Sequence, residues 1–84
     1  MSPTVSIVID AIVASTQIER ASLNQDTLLG ALAIPSLDVL QMVFEIESKL
    51  NVTVPDSVAT DLPTMTIGAL ATLLESLPPT KPAA

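Results

Sequence analysis

The chain has 84 residues, with nine acidic side chains against three basic ones and a net charge of −6. That balance argues against a nucleic-acid ligand, whose phosphates are neutralised by cationic side chains, and favours a partner with a basic surface. Cysteine and histidine are absent, which excludes disulfides, thiolate chemistry, serine–histidine devices and histidine metal sites.

Apolar residues make up 49% of the chain but include one aromatic, Phe44, so a core must be built from Leu, Ile, Val, Ala and Met. A domain of this size buries ~60% of its unfolded surface, enough to fold alone with a narrow margin. No apolar run approaches the ~20 residues that span a bilayer. No basic stretch precedes an apolar core at the N-terminus, as it does in a secretory signal. The expectation is a soluble, cytoplasmic, all-α monomer, with residues 1–77 forming a helical domain and 78–84 a disordered proline-rich tail.

In chain order, Val5, Val8, Ile9, Ile12 and Val13 recur at helical spacing, which predicts a first helix over Pro3–Thr16 despite its β-branched start. Gln17–Ile34 is a long connection carrying Ile18, Leu23, Leu28, Leu29 and Leu32, so it should pack on the bundle. Asp26-Thr27-Leu28 can cap a short helical turn within it. Pro35-Ser36 opens the second helix, running to about Leu50, with the Ser36 hydroxyl able to accept from a first-turn amide and Asp38 placed where the helix dipole favours a carboxylate. Two apolar stripes run along it, Val39, Val43, Ile46 and Leu50 on one face and Leu37, Leu40 and Phe44 on the next. Asn51–Val54 reads as an extended link. Pro55 and Asp56 start a short helix from Ser57 to about Asp61, which Pro63 ends. Thr66 caps a last helix carrying Ile67, Leu70, Leu74 and Leu77, and Gly68 within it suits the close approach of another element. The fold expected is a small up-and-down bundle of three main helices plus one short helix.

The second helix, through Ser36, Leu37, Asp38, Leu40, Val43, Ile46, Glu47 and Leu50, resembles the recognition helix of the acyl carrier protein family. The likeness continues through Val54-Pro55-Asp56 and Thr66-Ile67-Gly68 and covers roughly residues 3–77. It implies a carrier rather than an enzyme. A separate phosphopantetheinyl transferase would attach 4′-phosphopantetheine from coenzyme A to Ser36, and the arm's thiol would hold acyl groups as thioesters. Acyl-processing enzymes of fatty acid, lipid or secondary-metabolite synthesis would be the partners. The family usually places glycine, a small residue and aspartate before the serine; Ala33, Ile34 and Pro35 stand there, which suggests a specialised member.

Three candidate sites follow. Ser36 is the attachment point, or only a helix cap. Leu37, Asp38, Leu40, Gln41, Phe44, Glu45 and Glu47 form a docking face for basic partner surfaces, unless the apolar three complete a core. Leu28, Leu29, Ile46, Val54, Ala59, Leu62, Ile67 and Leu70 would line an acyl pocket between the second, third and fourth helices, or pack as plain core. No metal site is expected. The rival function is a non-carrying interaction module, its serine unmodified, that binds a protein through the second helix. An enzyme fits poorly, since only carboxylates remain and none are convincingly paired.

Overall fold

A computed structural model describes residues 3–78. The expected tail falls on residues 78–84, of which 79–84 lie outside the described residues. Four α-helices, α1 (Pro3–Ser15), α2 (Ser36–Leu50), α3 (Asp56–Asp61) and α4 (Ile67–Ser76), are joined by turns that include short 3-10 segments at Arg20–Ser22, Leu29–Leu32 and Leu62–Thr64. The all-helical bundle of three main helices and one short one is the architecture, and no strand occurs among the described residues. None of the described helices is long and apolar enough to cross a membrane.

Helix α1 packs against both α2 and α4. Val5, Val8, Ile9 and Ile12 are buried on its inner face, and the buried Thr4 hydroxyl donates to the Glu75 carboxylate of α4 at 3.1 Å. Helix α2 contributes Met42, Val43 and Ile46, and α4 contributes Ile67, Leu70, Ala71 and Leu74. The first stripe on α2 is therefore the core stripe, with Val39 and Leu50 packed half-buried beside it. Met42 joins it and is almost fully buried. It lies three residues after Val39 and four before Ile46, a spacing that belongs to the same face.

Helix α2 ends at Asn51, whose left-handed backbone (φ 56°) turns its own amide and that of Val52 onto the Glu47 carbonyl. Asparagine tolerates that conformation better than most residues, and the turn satisfies carbonyls left open at a helix end. The following link then buries Val52 and Val54. Thr66 caps α4 as expected, its hydroxyl accepting from the Ala69 amide at 3.1 Å. Asp56 does not cap α3; Pro55 holds the cap position and Asp56 is the first helical residue.

The long connection between α1 and α2 is ordered because it is bonded to the start of α4. The Gly68 amide donates to Gln25 O at 2.8 Å, Ile67 to Thr27 O at 2.9 Å, and Leu29 to Met65 O at 2.9 Å. Leu28 and Thr66 pair as an isolated antiparallel bridge. This seam explains both glycines. A Cβ on Gly68 would stand 3.0 Å from Gln25 O, and one on Gly30 only 2.4 Å from Pro63 O. Near its start the connection is tied to α1 by an exposed Arg20–Asp10 ion pair, a contact of the kind that contributes little to stability. Thr27 does not cap the following turn. Its hydroxyl accepts from the Asn24 amide, and Leu28 holds the cap position before Leu29–Leu32 with no side-chain bond.

Candidate functional site

Ser36 is the first residue of α2, and Pro35 holds the cap position with no side-chain bond to offer. The expectation that the serine hydroxyl caps the helix is corrected. Ser36 is already inside the first turn, is exposed, and its side chain bonds to none of the described residues. The first backbone bond of the helix runs from the Val39 amide to Pro35 O at 3.0 Å. The amides of Ser36, Leu37 and Asp38 precede it and have no carbonyl one turn back. Ahead of them, Ala33 is left-handed (φ 52°), a conformation that costs an L-residue about 1–2 kcal/mol and that glycine adopts freely. It turns the chain from the 3-10 segment so that Ile34 tucks half-buried under the helix start. Proline then holds Ile34 extended.

The second stripe of α2 stays outside. Leu37, Leu40 and Phe44 are 67%, 49% and 58% exposed, so the alternative in which they complete a core does not hold. Gln41 and Glu45 are exposed beside them and Asp38 is half-buried. Glu47 departs from its expected place on the rim. It is half-buried, and its carboxylate accepts from the Val54 amide at 2.8 Å, fastening the link after α2. None of the described acids forms a metal-binding group of three or more.

Two clefts flank Ser36, separated by Val39 and Ala59, which line both. The loop-side cleft, about 300 Å³, lies between the connection, α2 and α3, with Leu29, Ile34, Met42, Leu62 and Pro63 among its walls. The second, about 240 Å³, runs between α2 and α3 past Leu40, Phe44, Glu47, Val54 and Asp56. The single internal pocket expected from the sequence is thus replaced by surface clefts. Of its eight residues, Leu29, Ala59 and Leu62 line the first and Val54 and Ala59 the second. Ile46, Ile67 and Leu70 line neither, being 0–1% exposed within the core, and Leu28 points outward at 43% exposure. The cause is the seam to α4, which draws the connection over the bundle and leaves Leu28 on its outer side. Ile34, Met42 and Thr60 are among the lining residues that the sequence reading did not assign to a site, and of these three only Met42 had a signal, its spacing.

Fold and site together define a small helical bundle that presents a serine between two clefts at the start of its longest helix. No family model, curated protein or solved structure matches the chain.

Proposed function

We propose that this protein is an acyl carrier whose Ser36 takes a 4′-phosphopantetheine arm and whose α2 face meets the enzymes that act on the cargo. The observation that carries the reading is the condition of Ser36, an exposed hydroxyl with no bond to hold it, on the first turn of a 15-residue helix. The residues fit the group. The free amides of Ser36, Leu37 and Asp38 and the helix dipole favour the phosphodiester that would form there. The left-handed backbone at Ala33 also matches the glycine that the resemblance expects. Bound, the arm supplies a thiol for thioester chemistry, a group this chain lacks.

The chain's own contribution is to present and to dock. With no histidine to take its proton, the Ser36 hydroxyl is a weak nucleophile and needs a separate transferase to activate it. Leu37, Leu40 and Phe44, with Asp38, Gln41 and Glu45 around them, offer an apolar centre with a polar, acidic rim to a basic partner. Fatty acid, lipid or secondary-metabolite synthesis is the setting proposed, in the cytoplasm.

Intact mass after incubation with coenzyme A and a broad-specificity phosphopantetheinyl transferase tests this. The expected result is a gain of one phosphopantetheine that Ser36→Ala abolishes. No gain with several transferases overturns the reading and favours an unmodified interaction module using the same exposed α2 face, the alternative that Pro35 in place of aspartate supports.

A further inference from the structure

We infer that the enzyme that modifies Ser36 recognises the chain from the side of the connection, through an uncharged and apolar surface of its own, and not through the acidic rim of α2. The inference rests on the carrier reading and adds the kind of transferase that fits it.

An enzyme that reaches the Ser36 hydroxyl must cover the residues around it. Those on the connection side carry no charge. From Thr27 to Leu37 the sequence has no ionisable side chain, and Asp26 and Asp38 bracket the run. Within it Leu28, at 43% exposure, and Gly30, Ala31, Ala33 and Pro35 are all exposed. Gly30, Ala33 and Ser36 share the loop-side cleft with Thr60 and Pro63, which are exposed across from them, and no ionisable side chain lines it. Thr60 is committed, its hydroxyl donating to Asp56 O at 3.0 Å. A cationic enzyme surface laid here would lose hydration without meeting a counter-charge, whereas an apolar one would take apolar carbon out of water.

This approach is also preformed. Leu29 is bonded to Met65 O, and Leu28 pairs with Thr66, which ties the run to the start of α4. The left-handed turn at Ala33 and the proline ring at 35 then fix the entry to Ser36. Little ordering is left to oppose docking. The serine thus stands at a boundary, with an uncharged approach on one side and the acidic α2 face on the other. In the transfer, the Ser36 oxygen bonds to the phosphorus next to the pantetheine, the phosphoanhydride bond of coenzyme A breaks, 3′,5′-adenosine diphosphate leaves, and the serine proton passes to the transferase.

The test takes, of several phosphopantetheinyl transferases, the one fastest on the wild-type chain, with coenzyme A saturating and intact mass as the readout. The expected kcat/KM for the chain changes by less than about twofold between about 0.05 and 0.5 M sodium chloride, a range over which screening slows charge-led docking steeply. Ala33→Asp and Ala33→Lys place opposite charges beside Ser36, and Pro35→Asp adds one while supplying a good helix cap that keeps α2 stable. Each should raise KM for the chain about tenfold, with kcat within about twofold and the circular dichroism spectrum unchanged. Four results overturn the inference while leaving Ser36 a carrier site: a fall of about tenfold in kcat/KM with salt, opposite effects of the two charges at Ala33, a KM that none of the three variants moves, or better modification of Pro35→Asp than of wild type. Where no transferase modifies the wild type or Pro35→Asp, the carrier reading itself falls, and the inference with it.

Discussion

Gly30→Ala probes the seam that holds the connection, and with it the wall beside Ser36. The added Cβ would stand 2.4 Å from the carbonyl oxygen of Pro63, 3.2 Å from its carbon and 3.3 Å from its Cα. All three are backbone atoms, so no side chain can swing away, and the two segments must separate by at least about 0.6 Å to reach the closest approach real Cβ atoms make. Overpacking of this kind costs about 1–3 kcal/mol. The separation also strains the bond from Leu29 to Met65 O, 2.9 Å long, of a type whose net contribution is about 1 kcal/mol. The lower entropy of alanine in the unfolded chain offsets about 0.4–1 kcal/mol. The expected loss is about 2 kcal/mol, a fall in melting temperature of roughly 10 °C for a domain this small.

Urea unfolding followed by far-ultraviolet circular dichroism measures it as a lower midpoint at unchanged slope. Gly68→Ala is the matched comparison. Its Cβ would meet Gln25 O at 3.0 Å and the Gln25 side chain at 3.2 Å, a contact relieved by a shift of a few tenths of an ångström. The gain of about 1 kcal/mol in helix propensity then leaves the net change near zero. Equal midpoints for wild type and Gly30→Ala, or equal losses in the two variants, would refute the argument from backbone approach.

Further expectations concern α2. Ser36→Ala should change stability by less than about 0.5 kcal/mol, because the hydroxyl caps nothing, whereas a true cap would cost about 1 kcal/mol; thermal unfolding of the unmodified protein decides between them. Glu47→Ala should cost about 1–2 kcal/mol by leaving the Val54 amide without its acceptor, and Glu47→Gln clearly less, since an amide oxygen still accepts; equal losses in urea titrations would show that the bond to Val54 is not the cause. Phe44→Ala and Glu45→Lys should slow reactions with partner enzymes while leaving the melting temperature within a few degrees. Loss of cooperative unfolding in either would place those residues in the core.

Helix positions were legible because apolar spacing in a short aliphatic chain leaves few alternatives. Pro3, Pro55, Pro63 and Thr66 punctuate segments whose bounds the structure reproduces to within one residue or so. The double stripe on α2 was legible too, as a pattern, and so was the need for a close approach at Gly68. Roles within the site were less so. Ser36 and Asp56 read as caps because serine and aspartate favour that position, yet the prolines before them hold it, since a proline needs no amide there and its extended ψ suits it. Glu47 reads as surface because its acceptor bond reaches seven residues along the chain to Val54, beyond any helical periodicity.

By itself, then, the order of residues determined an acidic helical bundle without thiol or imidazole chemistry and the serine at the head of its longest helix, since composition and periodicity act locally along the chain. Folding decided which stripe faces out, that Ile46, Ile67 and Leu70 are solid core, and that two clefts open beside Ser36. Those outcomes depend on where the connection crosses α4, and that crossing is set by backbone bonds between residues some forty positions apart, from Gln25, Thr27 and Leu29 to Gly68, Ile67 and Met65.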